Sequence, residues 1–133
     1  AWLEAEVTWA APDGVPPLEV EGGSLDAGDV PLIRFDDAGG SLIVPAGGPE
    51  LRCHALLYVL RVNGGTSGPV AVELAVREGG EWRPAAAYEM PGPGTYLGLV
   101  ALEKKPRTIE AVRVTLDGAR EVAVYDLALL TFG

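Results

Sequence analysis

The sequence predicts an all-β fold, an antiparallel β-sandwich, and three observations support that prediction. The 18 glycines and 11 prolines fall in short clusters between apolar runs, as turn residues do. The apolar runs alternate with polar residues at a period of two, which is typical of strands with one buried face. The runs recur every 8 to 12 residues or so with no helical pattern between them, so each strand must bury its face on a second layer.

The N-terminal third of the chain contains four candidate strands. Residues 2–9 alternate clearly, and a short candidate follows at 18–21; we expect residues 1–25 to include an extended N-terminal strand or arm. Strands are then predicted at 30–35 and 41–45. The tight acidic turn between these two favours antiparallel pairing of one with the other.

The longest candidate strand covers residues 52–62 and is apolar on both faces, as expected in the middle of a sheet. After a turn at 91–94, further strands are predicted at 96–102, 108–116 and 121–132. Together these patterns predict one domain over residues 1–133, with about eight or nine strands and no helix of useful length.

A two-residue hairpin is the strongest local signal. Gly79 and Gly80 separate strand 70–77 from strand 81–90 and suit the positive φ angles of a tight hairpin turn. Pro84 lies inside the second strand. Because proline cannot donate to a ladder of hydrogen bonds, it predicts an edge position or a bulge there.

Charge and composition exclude several classes of function. A net charge of −9 with only ten dispersed Lys and Arg argues against nucleic acid and anionic membranes as partners. No apolar run approaches the ~20 residues of a membrane span, and no signal segment is visible in the chain, which we expect to be soluble. The absence of Gln, with single Asn and Met residues, suits a thermophile, and high-GC coding would produce the same bias.

No catalytic apparatus is recognisable, so we expect no enzyme. Cys53 and His54 are adjacent, so in a strand their side chains point to opposite faces and cannot act as a nucleophile and its base. The single cysteine also excludes an intramolecular disulfide. No serine lies in a Gly-x-Ser-x-Gly elbow. The serines in glycine-containing turns are Ser24, Ser41 and Ser67.

The order of elements from residue 40 onward follows a known pattern: a strand after an acidic turn, a long central strand, a hairpin with a tryptophan, a penultimate strand, and a last strand that an aspartate interrupts. These elements are 41–44, 55–62, Trp82, 112–116 and Asp126 within 122–129. The order resembles that of the galactose-binding-domain-like jelly rolls, the family to which many carbohydrate-binding modules belong. The resemblance implies a non-catalytic jelly roll that binds sugars, often with a structural calcium, or serves in adhesion or assembly. The first forty residues match it poorly.

Three aromatic residues are candidates for a glycan site. Trp82, Tyr88 and Tyr96 lie on neighbouring predicted strands, and aromatic rings stack on the apolar faces of sugars. Ordinary packing of these rings in the core or on a sheet is the alternative, and it is the more frequent role of such residues.

A group of aspartates is a candidate for calcium, although turn capping is the more frequent role of such residues. Asp26, Asp29, Asp36 and Asp37 surround two glycine-containing turns, and oxygen-rich loops of this kind hold calcium in other proteins. Asp126 is a separate candidate that the resemblance implies. Otherwise we expect no cofactor.

The first functional hypothesis is a structural subunit of a surface assembly, such as a virion capsid or decoration protein, located outside the cell or in the virion. Its contacts with other protein subunits, in a homo-oligomer or larger assembly, would involve strand edges and the N-terminal arm, where Trp2 and Trp9 lie on opposite faces. The alternative is a carbohydrate-binding module that recognises a glycan through surface aromatics.

Overall fold

The computed structural model describes residues 5–8, 19–26, 30–37, 39–45, 52–53, 55–63, 68–101 and 107–132. These ranges contain thirteen β-strands and no helix, which confirms the all-β prediction. The strands are β1 (Ala5–Thr8), β2 (Glu19–Glu21), β3 (Gly23–Asp26), β4 (Leu32–Phe35), β5 (Gly39–Pro45), β6 (Arg52–Cys53), β7 (Ala55–Asn63), β8 (Val70–Glu78), β9 (Glu81–Met90), β10 (Gly94–Ala101), β11 (Arg107–Thr108), β12 (Ala111–Asp117) and β13 (Glu121–Phe132). Within the described part of the chain, no helix is long and apolar enough to cross a membrane.

The strands form two main antiparallel sheets. The six-stranded sheet has the order β10-β7-β13-β4-β3, with β1 paired to the far end of β13, and the five-stranded sheet has the order β2-β5-β12-β8-β9. From β4 to β13 the chain passes repeatedly between the two sheets, and β6 and β11 form a small separate pair. This alternation between layers is the jelly-roll form of the β-sandwich, as predicted.

One strand pairing predicted from the sequence is wrong. β4 pairs with β3 and β13 in the six-stranded sheet, whereas β5 pairs with β2 and β12 in the five-stranded sheet. Ile33 of β4 and Leu42 of β5 are both fully buried in the shared core. The acidic turn therefore carries the chain across the core to the other layer, instead of closing a hairpin within one sheet.

β3 was not predicted, because its glycine suggested a turn. A Cβ at Gly23 would clash with the backbone oxygen of Arg34 on the neighbouring strand, so glycine is required there by the close approach of two strands. The structure thus adds part of the N-terminal region to both sheets.

The predictions for the central hairpin are confirmed. Gly79 and Gly80 have φ angles of 62° and 81° and join Glu78 to Glu81, as in a type I′ turn. β9 is an edge strand, and its register against β8 shifts next to Pro84. The bulge accommodates the proline at a position where the ladder is already broken.

The core lies between the two sheets and is built from alternate residues of their strands. A polar contact crosses it: the hydroxyl groups of Tyr58 on β7 and Tyr88 on β9 lie 2.6 Å apart. Tyr58 is almost fully buried, and Gly98 on β10 leaves the space that its ring fills. Burial, and then the contact with Tyr58, raises the pKa of the Tyr88 hydroxyl far above its usual value.

A second bulge interrupts β13. Between Val124 and Asp126 the register against β7 shifts by one residue, so Tyr125 is the extra residue. Leu127 consequently returns to the core and is fully buried, while Tyr125 and Asp126 are both exposed on the outer face of the six-stranded sheet. The aspartate noted in the sequence therefore marks an irregularity in the last strand.

Candidate functional site

Trp82 lies on the outer face of the five-stranded sheet. It is half-buried and stands opposite Arg77 of β8 in the strand register. The guanidinium carbon of Arg113, on β12, lies over the indole ring at 4.5 Å from its centroid, and that of Arg77 lies at 5.5 Å. These are cation–π distances, so the two arginines and the tryptophan form one stacked cluster at this end of the face.

A groove of about 480 Å³ begins at Trp82 and follows the outer face of this sheet. Small side chains form its floor, because alanines occupy β8 and β9 where larger residues would fill it. The polar and charged groups of the lining are Glu73 of β8 and Arg113 and Thr115 of β12. The lining residues are Glu73, Leu74, Ala75, Trp82, Pro84, Ala85, Ala86, Ala87, Arg113 and Thr115.

A second depression of about 500 Å³ continues the groove along the same strands. It shares Glu73 and Thr115 with the first and ends at Asp37 and Asp117. The combined groove runs beside β8 from the row of Trp82 to Ala71, a length of about 20 Å at about 3.3 Å per strand residue. Such a groove fits an extended chain molecule better than a compact one.

The arginines around the groove differ in their partners. The Nε of Arg77 lies 3.3 Å from a carboxylate oxygen of Glu110, and the Nη2 of Arg83 lies 3.1 Å from a carboxylate oxygen of Glu78. Arg113 makes no ion pair or hydrogen bond with the other residues that the structure describes. Its guanidinium instead makes a cation–π contact with the ring of Trp82. Its guanidinium donors remain available, because a cation–π contact consumes none of them.

Hydrogen-bonding groups continue along the middle of the face. The hydroxyl groups of Ser41 and Thr115 lie 2.8 Å apart across β5 and β12. Glu73 stands beside Thr115 in the register and is exposed. The face thus offers an acidic acceptor, neutral hydroxyls and a cationic donor above an apolar floor, a combination that matches the alternating apolar and hydroxyl surface of a sugar chain.

The three aromatic residues predicted as a platform do not come together on one face. Tyr88 is half-buried against the core and bonds Tyr58. Tyr96 also packs against the core, and its hydroxyl donates to the backbone oxygen of Gly92. Both tyrosines therefore pack against the core, which is the alternative to a glycan platform. Of the three predicted rings, Trp82 is the one on an open face.

Four of the five candidate calcium ligands lie among the described residues. Asp26, Asp36, Asp37 and Asp126 are exposed; Asp36 and Asp37 are adjacent in the chain, whereas Asp126 lies at the bulge of β13. Within the described ranges, no group of three or more His, Cys, Asp or Glu side chains could hold a metal ion. Asp29 lies outside the described residues.

Other predicted positions also fall outside what the structure describes. Trp2 and Trp9, the candidate assembly contacts, lie outside the described ranges, as do His54 and Ser67, while Cys53 is described only as part of β6.

Sequence reasoning missed Arg113, Thr115 and Glu73. The signal was present, since Arg113, Thr115 and Asp117 alternate with buried residues along β12 and therefore line one face. That pattern alone does not separate a binding face from a solvated one. The neighbouring strands make the difference, because they set small residues beside these polar ones.

Comparison with known proteins identifies the fold. No family model and no curated protein matches the sequence. Among solved structures, a single-residue variant of a carbohydrate-binding module of family 29 superimposes with a TM-score of 0.67 at 13% identity, covering 98% of this chain and 93% of that chain. Another variant of a family 29 module, complexed with cellulohexaose, gives 0.65 at 13% identity, covering 97% and 92%. A module of family 28, described as specific for non-crystalline cellulose, gives 0.59 at 11% identity, covering 80% and 79%.

These similarities confirm the predicted resemblance at the level of the fold: the chain is a β-sandwich whose fold is similar to that of these carbohydrate-binding modules. At 11% to 13% identity they show the fold alone, and nothing in them supports the virion subunit.

Proposed function

We propose that this chain is a non-catalytic, extracellular carbohydrate-binding module that holds a glycan in the groove on the outer face of its five-stranded sheet. The observation that carries the proposal is the juxtaposition of Trp82, the unpaired guanidinium of Arg113 and the carboxylate of Glu73 along one open groove. The structural neighbours supply independent support, since they are carbohydrate-binding modules.

The chemistry of the groove suits a neutral polysaccharide. A sugar hydroxyl both donates and accepts hydrogen bonds, so it can donate to Glu73 and accept from Arg113. The C–H faces of the sugar rings would lie over the alanine floor and against the part of the indole that Arg113 and Arg77 leave open, where burial of apolar surface favours binding. Several sugar units fit along the groove, each contributing a small increment.

Binding should be tested by calorimetry with cellulohexaose, the ligand of one neighbour, and with a panel of soluble neutral polysaccharides. Trp82→Ala should weaken binding by about 10-fold to 100-fold, since one buried aromatic contact is worth about 1.5–3 kcal/mol. The matched control is Tyr125→Ala, because Tyr125 is an exposed ring with an arginine, Arg61, over it at 5.9 Å on the opposite outer face.

The two variants separate the alternatives. Loss of binding in Trp82→Ala with unchanged affinity in Tyr125→Ala supports the groove. Unchanged affinity in Trp82→Ala contradicts it, and loss in Tyr125→Ala alone would move the site to the six-stranded sheet. No binding of any neutral glycan by the unmodified chain would overturn the proposed function itself.

A further inference from the structure

Strand β10 stands out among the edges of the two sheets. Within the described part of the chain it pairs only with β7, so its other side presents unpaired backbone N–H and C=O groups. It is eight residues long, contains no charged residue and no proline, and keeps an unbroken register from Gly94 to Ala101. Such an edge is a template for another strand.

The other edge strands carry the features that normally prevent such pairing. β1, β2 and β3 have only four, three and four residues. β9 is long, but it contains Pro84, a bulge and several charged residues. Short length, proline, bulges and charge are the usual protections of an edge strand, and β10 has none of them.

The exposed side chains of β10 are also unusual for a surface. Leu97 is 75% exposed and Leu99 is 60% exposed, both on the outer face of the six-stranded sheet. They stand beside Val59 and Leu57 of β7, which are half-buried, so the apolar surface is continuous from the edge inward. A free edge and an apolar row therefore coincide on one strand.

We propose that β10 pairs antiparallel with β10 of a second copy of this chain, across a two-fold axis at Gly98. This register sets Leu97 of each copy opposite Leu99 of the other, so both exposed leucines gain an apolar partner. A shift of the axis to Leu97 would instead place Leu99 opposite Thr95, and a shift to Leu99 would place Leu97 opposite Ala101. β10 carries no charged side chain, so pairing two copies of it brings no like charges together at the contact. This matters for self-pairing, because each copy carries a net charge of −9 and acidic edges would repel one another.

The pairing is weak, and it is independent of any ligand. One pair of eight-residue strands buries much less than the roughly 1,600 Å² of a stable interface, so we expect a dissociation constant between about 10 µM and 1 mM. The axis of such a pair is perpendicular to the sheet. If the proposed glycan groove is correct, the two grooves would therefore open on the same side and could bind one polysaccharide surface together.

Sedimentation equilibrium of the unmodified chain without glycan, from about 10 µM to 1 mM, tests the pairing. We expect a monomer–dimer equilibrium, and the double variant Leu97→Lys/Leu99→Lys should raise its dissociation constant by about 100-fold, through lost leucine burial and added charge repulsion. Val30→Lys is the matched control, because Val30 is 41% exposed and lies away from β10. It should leave the equilibrium unchanged.

Amide hydrogen exchange of the unmodified chain identifies the strand without any variant. Backbone amides of β10 should exchange more slowly at the high concentration than at the low one, since pairing protects the free edge. A chain that stays monomeric to 1 mM overturns the inference. So does a dimer that survives the double lysine variant, or one that forms without slower exchange in β10.

Discussion

The two outer faces of the sandwich carry similar aromatic pairs in different surroundings. On the five-stranded sheet, Arg113 lies over Trp82 at the end of a groove whose polar groups come from β8 and β12. On the six-stranded sheet, Arg61 lies over Tyr125 beside an exposed apolar row that ends at Leu97. The difference shows that an aromatic ring with an arginine does not by itself define a binding site; the neighbouring strands decide whether the ring borders a groove or a flat apolar surface.

The largest effect is expected from the interior that supports both faces. Gly98→Val should lower the free energy of unfolding by about 3 kcal/mol, because a side chain there would collide with the ring of Tyr58. Denaturant unfolding measures the change. In a double-mutant cycle, Tyr58→Leu should recover part of the loss by making room. Additive losses would show that the strain arises elsewhere.

The contact between the two sheets gives the next effect. Tyr88→Phe leaves the buried hydroxyl of Tyr58 without its partner, which should cost about 1–3 kcal/mol of unfolding free energy at neutral pH. Ala87→Ser is a suitable control, as it adds a hydroxyl on the same strand but on its exposed outer face, opposite Glu73. Equal stability of Tyr88→Phe and the unmodified chain would contradict a stabilising role for the bond.

The raised pKa of Tyr88 also predicts a dependence on pH. The folded chain keeps the phenol protonated, whereas the unfolded chain releases the proton near pH 10. The stabilisation is therefore fully present below about pH 10 and is lost as the pH rises above it. The free energy of unfolding, measured at about pH 8 to 12, should fall more steeply with rising pH for the unmodified chain than for Tyr88→Phe. Parallel curves would contradict the assignment to Tyr88.

The sequence predicted much of the fold, because its signals were local. Gly79 and Gly80 indicated the hairpin, and Pro84 indicated an edge or a bulge; both features follow from the backbone chemistry of single residues. The pairing of β4 and β5 was wrong because choosing a partner strand depends on which layer buries each apolar face. That choice is made by the whole core and not by the turn between them.

The candidate site was less predictable for the same reason. Trp82 was identified as an aromatic residue on a strand, but Tyr88 and Tyr96 bury their rings while their hydroxyl groups find partners inside. Strand periodicity alone does not decide which sheet face is inner at each bulge. The groove depends on Arg113 and Glu73, which come from different strands and become neighbours only through the register of β8 and β12.

The smallest effect tests the comparison between the two arginines most directly. Arg113→Lys keeps the positive charge but loses the planar set of donors, so glycan affinity should fall by about tenfold, or about 1.4 kcal/mol. Arg61→Lys makes the same change beside Tyr125 and should leave the affinity unchanged. Calorimetry with the same glycan measures both. If the two substitutions weaken binding equally, the effect is not specific to the groove, and the guanidinium of Arg113 has no special role in binding. If only Arg113→Lys weakens binding, the polar groove is what distinguishes the two faces.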